Sequence, residues 1–212
     1  MKKVILLGDS IRMGYDKYVR ESLTEVAEVY YPAENCKFAQ YVLRMILSWK
    51  EEFPEEVDLI HWNAGLWDLL ELYGDGPLTP IEVYAQMIKR IDKRLRYFYP
   101  NAKIIFATST GVDESGNTAD HIRHNATIDA YNKAAIEALK DTDTIINNLN
   151  AVTKDAPAEW RSDRTHYRTP KGIENVGGAV VRAICKELDI APKKVDMHDF
   201  CPELYTKENI GS

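Results

Sequence analysis

Gly8-Asp9-Ser10 near the amino end and Asp163-Arg164-Thr165-His166 near the carboxyl end carry the residue types of a nucleophile, a carboxylate and a base. A serine hydroxyl attacks poorly at neutral pH until a base takes its proton, and a histidine does that when a carboxylate holds its ring. The structural alternative is that Gly8 permits a turn and Asp9 or Ser10 caps the next helix. A second Asp-x-x-His, Asp58-Leu59-Ile60-His61, lies inside an apolar run that reads as a strand. Residues three apart on a strand point to opposite faces, so that pair cannot orient one another and reads as core and edge. Asp163 and His166 sit in a polar loop, where one turn brings both side chains to the same side; alone, the motif also fits a solvated loop.

The elements that must position these residues alternate between strand and helix. Lys3 to Leu7, just before Gly8, reads as a strand buried on both faces. Tyr15 to Val26 reads as a helix and Val29 to Tyr31 as a short strand; Phe38, Val42, Met45, Ile46 and Trp49 recur at helical spacing. Val57 to Trp62 is the third strand. Thr79, Pro80 and Glu82 spell a capped start with a capping box for a helix whose stripe is Tyr84, Ile88, Ile91, Leu95 and Phe98. Lys103 to Ala107 and Thr144 to Leu149 complete the strands, Asn125 to Leu139 is a helix, and Thr169 and Pro170 open a last helix to about Leu188.

Five strands alternating with five helices imply a three-layer α/β/α fold, with a flavodoxin-like parallel sheet in the order 2-1-3-4-5 and right-handed crossovers. Ligands in such sheets sit at the carboxyl ends of the strands. Ser10 follows the first strand, where backbone N–H groups and a helix dipole favour developing negative charge.

The 212 residues fit a single domain spanning 1–212, with 191–212, including Pro192 and Pro202, expected to wrap the surface. With 27 Lys and Arg against 33 Asp and Glu, the net charge of -6 lacks the cationic stripe that nucleic acid requires. No apolar run approaches the roughly 20 residues of a membrane span, and Val4 to Leu7 is too short for a signal-peptide core, so a cytoplasmic location is expected. Cys36, Cys185 and Cys201 lack CxxC spacing and read as reduced packing residues, neither a disulfide frame nor a metal site.

The run Val4-Ile5-Leu6-Leu7-Gly8-Asp9-Ser10, with Asp163-Arg164-Thr165-His166-Tyr167 followed by Gly172 and a helix, resembles the first and last blocks of the SGNH hydrolases, also called GDSL esterases and lipases. The resemblance covers nearly the whole chain. It implies Ser10 as nucleophile, His166 as general base and then acid, Asp163 as its partner, a small-molecule ester as substrate, and no cofactor. The family's third block, Gly-x-Asn-Asp, is matched by Gly65-Leu66-Trp67-Asp68, with Trp67 in place of the asparagine that donates to the oxyanion. Asn63, two residues earlier, can reach the same place; its other reading is to close the turn. The second block's glycine is absent from Pro32-Ala33-Glu34-Asn35-Cys36, and Asn35, which tolerates left-handed angles, is expected to replace it and offer its amide.

The expected oxyanion site is therefore the Ser10 N–H with Asn35 and Asn63. Asp9, Gly65, Trp62, Trp67 and Trp160 flank it as candidate substrate contacts, at least one tryptophan being core. Cys36 has no neighbouring base and reads as an inert buried thiol. The polar stretches Thr110 to His124 and Gly74 to Pro77 are expected to line the cleft. His121, Arg123 and His124 could bind substrate, or a metal if a carboxylate joined them; polar surface before a helix is the plainer reading. The expected activity is hydrolysis of a small-acyl ester, an acetyl on a carbohydrate, through an acyl-enzyme. Alternatives are a long-chain esterase or thioesterase, an acyltransferase, or a ligand-binding protein on the same fold.

Overall fold

In the computed structural model, which describes residues 1–197, five parallel strands form one sheet in the order β2-β1-β3-β4-β5. This is the predicted order. The strands are β1 (Lys2–Leu7), β2 (Ala27–Tyr30), β3 (Leu59–Trp62), β4 (Lys103–Ala107) and β5 (Ile145–Asn147). Their helices are α1 (Ser10–Leu23), α2 (Ala39–Glu52), α3 (Ile81–Phe98), α4 (Asn125–Leu139), α5 (Leu149–Thr153) and α6 (Pro170–Leu188). α1 packs on α6, while α2, α3 and α4 pack side by side as the other layer. Covered on both faces, the central strand β3 buries all four of its residues.

Register brings the chemistry to one edge. Leu7 pairs with Trp62, so Gly8 and Asn63 emerge abreast at the carboxyl ends of β1 and β3, joined by the Asn63 N–H to Leu7 O bond at 3.0 Å. The chain after β2 returns over the same point, with the Cys36 N–H donating to Gly8 O at 3.1 Å.

Local differences from expectation have local causes. α1 begins at Ser10, not Tyr15, because Asp9 Oδ1 accepts the Ile11 N–H at 2.9 Å and caps the helix there. The capping box at α3 does not form: Thr79 Oγ donates to Gln40 Oε1 at 3.1 Å, and its N–H to Asp68 O at 2.8 Å, tying the helix start to neighbouring loops. β5 stops at Asn147 because Asn148 caps α5, a helix absent from the sequence reading, by accepting the Ala151 N–H at 3.0 Å. α6 starts as read, with Thr169 Oγ accepting the Gly172 N–H at 3.1 Å.

The segment after Ala191 begins along the end of α1, where the Lys193 N–H meets Ser22 O at 2.7 Å. The rest of the expected tail, with Cys201 and Pro202, lies outside the described residues. Among the described residues no helix is long and apolar enough to cross a membrane.

Candidate active site

The last loop before α6 folds around one carboxylate. Asp163 Oδ1 accepts the N–H groups of Thr165 and His166, each at 2.8 Å, a side-chain-closed turn that sets the following imidazole beside the same carboxyl group. His166 Nδ1 then lies 3.0 and 2.8 Å from the two Asp163 oxygens. His166 Nε2 lies 2.7 Å from Ser10 Oγ. Burial pushes the Asp163 carboxyl upward, but the His166 hydrogen bond and charge, with the two backbone donors, outweigh it and hold it well below the usual carboxylate range. An ionised carboxylate thus faces Nδ1 and fixes the imidazole with its proton there, leaving Nε2 to accept from the serine. Ser10, far away in sequence, meets Asp163 and His166 in a Ser-His-Asp chain of hydrogen bonds.

Ser10 is the first residue of α1, so its backbone N–H is one of the unsatisfied donors of a helix start. Beside it, Asn63 is 4% exposed and its Oδ1 lies against Gly8 with no donor, so the NH2 arm of the planar amide turns away from Gly8. A Cβ on Gly8 would stand 2.1 Å from Asn63 Oδ1 and 2.7 Å from Arg12 Cβ. Only glycine permits this approach.

Asn35 is buried, but the left-handed residue of its loop is Lys37, at φ 52°. The expectation that Asn35 adopts that conformation is corrected: its Oδ1 instead accepts the Lys37 N–H at 2.8 Å and holds the turn from outside. Asp68, the last residue of the third-block match, takes the Ala39 N–H on both oxygens at 3.1 Å and so caps α2, whose own N-cap side chain makes no such bond. Burial raises its carboxyl to about 7.

Several of the expected substrate contacts are buried within the fold. Asp9 is fully buried and spends one oxygen on the helix cap; burial pushes its carboxyl up. Trp62 is fully buried edge-on to Phe106, because β3 is flanked by strands and covered on both faces. Gly65 is buried at φ 151°, and a Cβ there would meet Ser109 Oγ at 2.3 Å, so only glycine fits this turn. Trp160 packs against the core. Of the candidate tryptophans, Trp67, on the loop after β3, and Trp160 are both partly exposed. Cys36 is buried with its thiol pushed up to about 11, mainly by burial. His61 is buried against Asn147, and burial lowers it to about 3, while Asp58 pairs with Lys2; as read, they do not orient each other.

His121 and His124 do not converge. His124 Nδ1 meets Glu114 at 2.8 Å, whereas His121 Nε2 contacts the Arg123 guanidinium. Among the described residues no group of three or more His, Cys, Asp or Glu could hold a metal. The loop carrying them is stitched to the histidine loop by the Asp113 N–H to Arg164 O bond at 2.8 Å and to the β3 loop by Glu71 and Ile122.

Two arginines at the site carry more than their sequence context suggested. Arg12, 1% exposed, reaches Gly8 O at 3.4 Å, Asp16 at 2.6 Å and Glu34 O at 2.6 Å, bracing the serine turn against the loop after β2. The sequence signal was the i,i+4 Arg12-Asp16 pair, which ordinarily marks a solvated helix face. Arg123, read as a possible substrate contact or more plainly as polar surface, is 6% exposed.

No protein-family model matches the sequence, and no curated protein matches it. Solved structures do resemble the fold. A lipase/acylhydrolase from Enterococcus faecalis is 19% identical with a TM-score of 0.67, covering 92% of this chain and 100% of that one. A carbohydrate esterase family 3 protein from Talaromyces cellulolyticus is 18% identical at 0.66, covering 90% and 100%. A GDSL-like lipase from Bacteroides thetaiotaomicron is 17% identical at 0.63, covering 87% and 88%. With its sheet order and its Ser10-His166-Asp163 arrangement already in view, the chain has the fold of the SGNH, or GDSL, hydrolases.

Proposed function

We propose that this protein is a serine esterase that removes a small acyl group, an acetyl on a carbohydrate, through an acyl-enzyme. The observation that carries the reading is the 2.7 Å contact of Ser10 Oγ with His166 Nε2, backed by Asp163 at 2.8 Å on the other ring nitrogen. Ser10 Oγ attacks the ester carbonyl carbon as its proton passes to Nε2. The oxyanion that forms faces the Ser10 N–H and the Asn63 amide, with Asn35 holding the adjoining loop. The imidazolium returns its proton to the departing alcohol, and a water activated by the same nitrogen releases the acid. Asp163 stays a carboxylate throughout.

The small-acyl, carbohydrate part rests on the partly exposed Trp67 and on the polar wall between residues 110 and 124, which suit a sugar ring better than a long chain. Proteins of similar fold include an acetyl xylan esterase and a carbohydrate esterase, alongside lipases. A fluorophosphonate should label Ser10 stoichiometrically, and nitrophenyl esters should be cleaved fastest with acetyl. Absence of labelling removes the hydrolase reading; a preference beyond about six carbons removes the small-acyl one.

The close approach at Gly8 supplies a second expectation. Gly8→Ala must displace the Asn63 side chain, so kcat for nitrophenyl acetate should fall roughly 10²- to 10³-fold, the usual cost of one oxyanion donor, with KM moving far less. Overpacking should cost about 1–3 kcal/mol by thermal melting. An unchanged kcat in a folded Gly8→Ala protein removes Asn63 from the oxyanion site.

A further inference from the structure

We propose that Arg123 binds an anionic group on the substrate, a carboxylate beside the scissile ester; this rests on the esterase reading above and narrows its substrate class. A buried guanidinium is costly unless an opposite charge meets it. Arg123 is 6% exposed, yet its hydrogen-bond acceptors are neutral: Nε donates to Leu66 O at 2.7 Å, and Nη1 contacts the His121 ring. His121 is uncharged at neutral pH, since burial and the Arg123 charge lower it to about 4. Among the described residues no carboxylate forms an ion pair with Arg123. Among the described residues its Nη2 has no hydrogen-bond partner.

The group is also placed and held. Asn117 reads the Arg123 backbone from both sides, accepting its N–H at 3.1 Å and donating to its carbonyl at 2.9 Å. Leu66 belongs to the loop that follows Asn63, so the Nε bond fastens the guanidinium to the wall of the candidate cleft. The negative charges near it are Asp9 and Asp163, and neither bonds to it: Asp9 gives one oxygen to the α1 cap and keeps the other buried and unpartnered, while Asp163 is held by His166. Arg164, on the histidine loop, likewise donates to neutral acceptors, Gly116 O at 2.5 Å and Thr118 Oγ at 3.3 Å. A planar fork with an unused arm suits a carboxylate, which it can grip with two parallel bonds. Bracing the Leu66 carbonyl alone would need a single N–H.

The test compares 4-acetoxybenzoate with its neutral methyl ester, which share the scissile acetyl bond, and adds 4-acetoxyphenyl phosphonate to separate a carboxylate site from a phosphoryl one. The wild-type protein should prefer the carboxylate ester in kcat/KM over both others. Arg123→Gln should lower that preference at least tenfold, and Arg123→Lys, which keeps the charge but loses the fork, should fall between. Equal losses on the charged and neutral esters, or no wild-type preference, overturn the proposal and leave the esterase reading standing. A phosphonate preference that depends on Arg123 overturns the carboxylate assignment. Calorimetric binding of 4-hydroxybenzoate needs no turnover: weakening of tenfold or more in Arg123→Gln supports the anion site even if neither ester is cleaved, and equal binding to both proteins overturns it.

Discussion

Ser10→Ala should lower ester turnover by about four to six orders of magnitude while leaving the melting temperature within a few degrees of wild type. The size of the first effect follows from what remains: His166 and the oxyanion donors persist, but no atom is left to form the acyl bond, so only a slow attack by water survives. The smallness of the second follows from what the hydroxyl does in the folded state. Its hydrogen bond to His166 Nε2, at 2.7 Å, lies in a partly buried site and contributes about 1 kcal/mol. Alanine is moreover well suited to the first turn of α1. Because the two groups act as one unit, Ser10→Ala combined with His166→Ala should be no slower than either alone. Turnover within tenfold of wild type, in a Ser10→Ala preparation free of contaminating esterase, would falsify the assignment of the nucleophile.

The parts of this site legible in the sequence are those where residue type and chain position constrain each other. Gly8-Asp9-Ser10 ends an apolar strand, and Asp163 and His166 are close enough in sequence to share one turn, so their meeting needed only the sheet order, itself readable from the alternation of strands and helices. What stayed hidden depends on partners distant in sequence. Trp62 looks like a binding platform until β1 and β4 are seen on either side of β3 with helices over both faces. Arg12 resembles a solvated residue because its i,i+4 partner Asp16 is ordinary, while the Glu34 carbonyl that explains its burial belongs to another loop. Lys37 takes the left-handed conformation against its own preference because a side-chain acceptor from Asn35 holds its N–H. Arg123 sits in a polar stretch, and nothing nearby in sequence announces that Leu66 O draws it inside.

Asp163→Asn should cost about 10⁴-fold in kcat, with little change in KM. The substitution preserves shape and one oxygen, and in its more favourable orientation that oxygen continues to accept the Thr165 and His166 N–H groups that close the turn. The other arm becomes an NH2 facing His166 Nδ1, where two donors cannot meet. The imidazole must then carry its proton on Nε2 and present N–H to Ser10 Oγ, which reverses the direction needed for proton removal. Fluorophosphonate labelling of Ser10 should slow in the same proportion, because that reaction uses the same base. Asp163→Ala removes the turn's acceptor as well, so it should also lower the melting temperature, and comparing the two separates tautomer control from loop shape. Linkage gives an independent check. The Asp163 carboxyl is held below its ordinary value in the folded protein, so its contribution to stability is present above about pH 4 and is lost as pH falls toward the lowered value. Thermal melts of Asp163→Asn should therefore lie below wild type at neutral pH and converge with it in acid. A variant that melts this way yet keeps kcat within tenfold assigns Asp163 to the turn alone.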